Sequence, residues 1–484
     1  MASATVHFSR PEPSLFTLRP SNDPQTLPPP VAGSTLSAPP FSIDPAWYNA
    51  VLDARVPITI ALVYAVTVTT VNRYNRRAGN KPWPISKTKG FFAFVVAHNI
   101  LLAVYSAWTF VGMFGALRRT VQHPSGPAGL AGTVDSLCKI HGVSGLDNAM
   151  SYNASTSKWV AELPTQFKLT SAGTPDPTDL GRLWNEGLAF YGWIFYLSKF
   201  YEVLDTAIIL AKGKRSSTLQ TYHHAGAMMC MWSGMRYMSP PIWMFVFVNS
   251  GIHALMYTYY TLTAFNIPIP QALKRSLTTM QIIQFLVGAS YATIHSFVSY
   301  TVAIQVPSIP ETVSSAASVA SSAVTSVAAV ATSSGISSFV KKLLYRAVGE
   351  EGLAENVASP VPTAQHTPIA SGNKASQIPQ YTTEYRTIPC IDTSGQTFAI
   401  WLNVVYLTPL TFLFVRFFVK SYITRTIGQK KPRVNGVAAE KAAKDALKGV
   451  ERQFNENGSV VNVDDAVNGN GKTNGHANGH AHAN

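Results

Sequence analysis

The stretch FYEVLDTAIILAKGKRSSTLQTYHHAGAMM, residues 200–229, sets two acids, two adjacent histidines and a glutamine in sequence otherwise suited to lipid. An ionised side chain at mid-membrane costs roughly 2.5–3.5 kcal/mol on insertion scales, so such groups persist where they face one another or a cavity. Lys199, Glu202, Asp205 and Thr206 fall within about 120° of arc at roughly 100° per helical residue. One helix face can therefore turn all four to a shared interior. An ion-pair network that only fixes packing is the plainer alternative for any one of them.

The surrounding sequence is apolar in blocks. Charged residues make up 13% of the 484 and apolar residues 46%, but the charge and the low-complexity sequence lie largely outside the blocks at 54–72, 90–117, 186–211, 219–238, 242–265, 277–304 and 396–419. Each block is long enough to cross a bilayer. A backbone in lipid must satisfy its own hydrogen bonds, so all seven are read as helices and the fold class as all-α. The net charge of +14 could suit nucleic acid, yet the basic residues cluster in short loops at block ends, and no nucleic-acid partner is expected.

Those loops orient the chain. Arg73, Arg76 and Arg77, then Lys212, Lys214 and Arg215, then Lys274 and Arg275, then Lys420 and Arg425 fall on one side under seven crossings. The positive-inside rule makes that side cytosolic. The N-terminus and the loops 118–185 and 305–395 then face the other way, and the C-terminus is cytosolic. Asn153 opens an Asn-Ala-Ser glycosylation sequon in one of those non-cytosolic loops. Cys138 and Cys390 fall together on the same, oxidising side, where a bridge can persist; two unpaired thiols are the alternative. Residues 1–45 are rich in Pro and Ser and carry no apolar run, so they are read as disordered and without a signal peptide. Residues 46–304 form the membrane domain through helix six, 305–395 a low-complexity insertion, 396–425 helix seven and 426–484 a basic, low-complexity tail.

Four consecutive blocks carry polar groups at one-turn spacing. Gln220 precedes His223 and His224 by three and four residues and can share a face with either. Asn249 and His253 are one turn apart, and Tyr257 and Tyr260 continue along that helix. Gln281 and Gln284 lie one turn apart in block six. A neutral imidazole serves as base or nucleophile near pH 7. A di-iron site needs more clustered histidines than the five in the blocks, and no Cys/His spacing suggests zinc, so neither metal nor cofactor is expected.

KFYEVLDT (199–206), QTYHH (220–224), NSGIHALMYTYY (249–260), TTMQIIQF (278–285) and YLTPLTFLFVRFFVKSY (406–422) together resemble the ELO family of fatty acid elongases, one motif per helix and in order. The resemblance implies a condensing enzyme of the endoplasmic reticulum membrane. It would join a long-chain acyl-CoA to malonyl-CoA, giving a 3-oxoacyl-CoA two carbons longer with loss of CO2 and CoA. Six of seven helices would surround an acyl tunnel, and a luminal disulfide would join the loops that hold Cys138 and Cys390. His223 would be the nucleophile, with His224, His253, Asn249, Lys199, Glu202, Asp205 and Gln284 completing the catalytic set. Gln220, Tyr257 and Tyr260 would line the substrate, and Lys212, Lys214, Arg215, Lys274 and Arg275 would meet the CoA phosphates. The reductase, dehydratase and enoyl reductase of the elongation cycle are expected partners; a homodimer is left open. Many members have His where this chain has Gln220, which moves weight onto His223 and His224. A transporter or proton relay is the rival class, because buried acids and histidines also carry protons.

Overall fold

The computed structural model describes residues 4–17, 20, 23–146, 148–161, 169–307 and 381–424. In chain order the elements are β1 (Val6–Phe8), α1 (Pro45–Ala50), α2 (Arg55–Arg77), α3 (Lys89–Thr120), α4 (Gly129–Cys138), the hairpin β2 (Met150–Asn153) and β3 (Lys158–Ala161), and a π-helical turn at Trp184–Leu188. Then come α5 (Ala189–Tyr201), α6 (Val203–Ala211), α7 (Thr218–Arg236), α8 (Ile242–Ala264), α9 (Gln271–His295), β4 (Val298–Pro307), β5 (Tyr381–Pro389) and α10 (Ser394–Phe418). The chain divides into two units, one comprising 1–302 and 387–484 and the other Ala303–Arg386. The described residues of the second unit are the outer portions of β4 and β5. Most of the 305–395 insertion and the tail beyond Thr424 lie outside the described residues.

Helices occupy the seven apolar blocks, with two short ones in block three, so the fold is all-α and polytopic with small sheets at β1-β4-β5 and β2-β3. By length and apolarity alone, α2, α3, α9 and α10 with its extension to Tyr422 can each cross a membrane. Their outer faces carry exposed Leu62, Val104, Val111, Leu286 and Phe412, as lipid contact requires. Between α3 and α9, α5 and α6 have only 13 and 9 residues, each too short to cross a bilayer alone. Small residues let neighbours approach: a Cβ on Gly251 of α8 would come within 2.9 Å of the Phe110 ring on α3. There Phe110 stacks on Phe247 with centroids 4.6 Å apart.

Three expectations change. Block six does not run helical to residue 304: α9 ends at His295 and β4 begins at Val298, where VSYTV is rich in β-branched and aromatic residues. Block three is not one rod: Glu202 separates α5 from α6, and a π-helical turn containing Gly187 at φ 152° precedes α5. Nor is the described part of residues 1–45 free of structure. Thr26 Oγ1 donates to the Arg236 carbonyl at 2.8 Å, Arg236 Nη1 donates to the Pro24 carbonyl at 2.9 Å, and Trp184 Nε1 donates to the Leu27 carbonyl at 3.0 Å. Ser37 also bonds Glu186, and β1 pairs antiparallel with β4. Proline blocks helix but lowers the entropy lost on ordering, so an extended strap bonded sideways is physically accessible.

At the same end of the bundle Cys138 and Cys390 are joined in a disulfide. Around it Arg182 pairs with Asp135 at 2.7 Å, Tyr300 donates to Asp135 at 2.6 Å, and Lys139 pairs with Asp392. Asn153 is exposed where the β2-β3 hairpin turns. His141 is buried against the Trp159 and Trp184 rings, with no hydrogen-bond partner for Nε2. Burial, assisted by the Arg182 charge, pulls its imidazole down from 6.5 to about 3. Between those values the unfolded chain binds a proton that the folded chain refuses. The stability of this layer should be complete above pH 6.5 and fall as pH drops toward about 3. Thermal unfolding followed by tryptophan fluorescence across that range should show the loss, and His141→Phe should flatten it.

Candidate active site

Glu202, the residue between α5 and α6, lies at the centre of the polar interior. Its Oε1 accepts from Lys199 Nζ at 2.7 Å and from Ser198 Oγ at 3.2 Å, and lies 3.8 Å from His253 Nδ1 on α8. Lys199 and Glu202 are 3% and 2% exposed, so the pair is desolvated and each charge depends on the other. Lys199 Nζ also donates to Asn249 Oδ1 at 3.3 Å and sits 4.0 Å over the Phe195 ring.

Asp205 belongs to a different set. Its Oδ1 accepts from His98 Nε2 of α3 at 2.9 Å and its Oδ2 from the Tyr257 hydroxyl of α8 at 2.6 Å. The other nitrogen of His98 is 3.3 Å from the Tyr201 hydroxyl. Thr206 bonds elsewhere again, to Tyr64 of α2 at 2.9 Å and to Gln220 of α7 at 3.1 Å. The expected single network is thus three: Lys199 and Glu202 pair at the α5–α6 junction, whereas Asp205 and Thr206 find partners on neighbouring helices.

Glu202 and Asp205 open onto a cavity of about 660 Å³. Six helices contribute its wall: α3, α6, α7, α8, α9 and α10, whereas α2 and α5 contribute none. Glu202, Asp205, Gln220, His223, His224, His253, Tyr257 and Tyr260 all line it, as do Lys212, Lys214 and Lys274. Along α8 the lining runs from His253 to Ala264, about 16 Å at 1.5 Å rise per residue. His223 and His224 have ring centroids 5.5 Å apart, and His224 meets the edge of Tyr64 at 6.1 Å. Lys274 lies 5.9 Å over the Tyr259 ring.

Lys199, Asn249, Gln284, Arg215 and Arg275 do not line the cavity. Lys199 bonds Glu202, which does line it, and Asn249 bonds Lys199; Gln284 has a buried Oε1 without a partner. The sequence reading missed Asn99, which lines the wall, and His98, whose bond to Asp205 needs α3 and α6 to be adjacent. It also missed Tyr406 as a site residue. Tyr406 lies within a quoted motif, but its position against His223 depends on how α10 crosses α7. Among the described residues one group has metal-ligand types in reach of one another, Cys138, His295 and Cys390, and its two sulfurs are bonded together.

The model of the ELO (GNS1/SUR4) family matches residues 50–430. The chain belongs to that family. It is 39% identical over 105 residues to very long chain fatty acid elongase 3 of Homo sapiens, a stretch covering 22% of this chain and 39% of the relative. To fatty acid elongase 2 of Trypanosoma brucei brucei it is 28% identical over 140 residues, 29% of this chain and 52% of the relative. To fatty acid elongase sre1 of Dictyostelium discoideum it is 34% identical over 129 residues, 26% and 47% respectively. The chain therefore spans about half or less of the length of these relatives. No solved structure matches it.

Removing one partner of the Lys199–Glu202 pair strands a buried charge. Lys199→Met or Glu202→Leu alone should cost about 3–5 kcal/mol, while the double substitution should recover most of that loss. Thermal unfolding of the three variants in detergent checks both expectations.

Proposed function

We propose that this family member condenses a long-chain acyl-CoA with malonyl-CoA to a 3-oxoacyl-CoA two carbons longer, releasing CO2 and CoA. One observation carries the reading: His223, His224, His253, Glu202 and Asp205 line one cavity whose other wall residues are largely apolar and which also bears Lys212, Lys214 and Lys274. The apolar wall suits an acyl chain and the ammonium groups suit CoA phosphates. Relatives named fatty acid elongases support the substrate class.

The reaction has two stages. His223 attacks the acyl thioester carbonyl; the C–N bond forms, the C–S bond breaks, and CoA leaves as a thiolate that takes a proton at the open mouth. Malonyl-CoA then loses CO2, and its enolate attacks the acyl-histidine carbonyl. The new C–C bond forms as the C–N bond breaks, which returns the histidine. His253 and Asn249 orient the thioester oxygen or the enolate. Lys199 and Glu202 hold those two groups in place. Moving malonate's charge from water into this cavity favours its dispersal in the transition state.

The membrane is that of the endoplasmic reticulum, with the disulfide, the β2-β3 hairpin and the N-terminus luminal. The enzymes that reduce, dehydrate and reduce the product again are the natural partners, acting on the same thioester.

Purified protein given acyl-CoA and carboxyl-labelled malonyl-CoA should release labelled CO2; a proton relay or transporter would not. Intact mass after acyl-CoA alone should show one acyl adduct that His223→Ala abolishes, and an adduct persisting in that variant would move the nucleophile elsewhere. If the hairpin is luminal, endoglycosidase should shift the wild-type band and leave Asn153→Gln unmoved. An unshifted wild-type band counts against glycosylation at Asn153.

A further inference from the structure

Tyr406 of α10 makes two contacts with one residue. Its hydroxyl donates to the backbone carbonyl of His223 at 3.0 Å, and the same oxygen lies 3.0 Å from His223 Nδ1. A phenol has a single proton. With that proton on the carbonyl, the hydroxyl meets Nδ1 by a lone pair, so Nδ1 carries the hydrogen. A neutral imidazole has one N–H, and Nε2 is therefore left with its lone pair. His223 lines the cavity, and Nε2 is the ring nitrogen not engaged by Tyr406.

The contact is built into both helices. A Cβ at Gly226, one turn after His223, would fall 2.1 Å from Cε2 of the Tyr406 ring. The missing side chain opens a notch in α7 that admits the ring. Tyr222 donates its hydroxyl to the Tyr406 carbonyl at 3.2 Å, a second tie between the same two helices. Pro409 stands three residues further along α10. Its missing N–H loosens that turn of the helix.

We propose that Tyr406 is a positioning residue that holds His223 in its Nδ1–H tautomer and so makes Nε2 the nucleophile. The proposal rests on the acyl-transfer reading above and adds the atom and the group that selects it. Nε2 attack gives a positively charged acyl-imidazolium whose Nδ1 proton stays hydrogen-bonded to Tyr406, while the departing thiolate takes its proton from water at the mouth. Attack by the anionic enolate neutralises that charge and restores the starting tautomer. No proton has to leave Nδ1 during the cycle.

Tyr406→Phe keeps the ring in the notch and removes both hydrogen bonds. Its unfolding temperature and KM for acyl-CoA should stay near wild type. The rate of acyl-adduct formation, read by mass in a single turnover, should fall roughly 10–100-fold, by analogy with losing the partner that orients a metal-binding histidine. Gly226→Ala, which pushes the ring out, should slow the same step. Nitrogen NMR of histidine-labelled full-length protein in nanodiscs, with His223 assigned by its loss in His223→Gln, reads the tautomer without reference to activity. Wild type should show a protonated Nδ1 and a bare Nε2, and Tyr406→Phe a mixture. A wild-type Nε2–H, or an unchanged adduct rate in Tyr406→Phe, would overturn the proposal. A wild-type chain that forms no adduct while showing the Nδ1–H tautomer would instead overturn the covalent reading on which it rests.

Discussion

Lys199 and Glu202, 2.7 Å apart and buried, are the contact on which the interior depends. Neither charge can be removed from water alone without a penalty of several kcal/mol. Together they still leave lone pairs and N–H groups to satisfy. Ser198, Asn249 and His253 take up that remainder, which draws α8 against the junction of α5 and α6. Because Glu202 stands at the break between those two helices, the pair also marks where the chain changes direction. The polar cluster thus helps define the architecture that contains it.

The same requirement explains the division among partners. Asp205 finds His98 and Tyr257; Thr206 finds Tyr64 and Gln220. Each bond joins a different pair of helices, so satisfying buried polar groups ties α2, α3, α7 and α8 to α6. What is left unpaired against the apolar wall is the space itself, about 660 Å³, with imidazoles at one place and ammonium groups at another. Steric absence matters as much as polar presence. Without a Cβ, Gly226 gives Tyr406 its seat, and Gly251 lets Phe110 close α3 against α8.

Much of this was legible from residue order. Apolar blocks at bilayer length located all seven helical segments, since a backbone in lipid has few other options. Polar residues at one-turn spacing picked out Glu202, Gln220, His223 and His253, because such residues in an apolar helix must face inward. The failures have physical causes as well. Composition alone made the proline-rich start look free, although carbonyls on an extended strap can bond side chains such as Arg236 and Trp184. Block six was read past its end because apolar β-branched residues satisfy a strand and a span equally well.

The sequence by itself determined the class of fold, the family, and which polar residues had to turn away from lipid, for these follow from local periodicity and the cost of exposing charge to hydrocarbon. Only the tertiary structure decided which partner each one has. Lys199 and Asp205 lie six residues apart on neighbouring turns, yet one pairs with Glu202 and the other with His98, more than a hundred residues away in sequence. Tyr406 and His223 are separated by 183 residues, and no pattern within either helix brings a hydroxyl to an imidazole nitrogen. Hydrogen bonds act over about 3 Å, so the identity of a partner is settled by how whole helices cross.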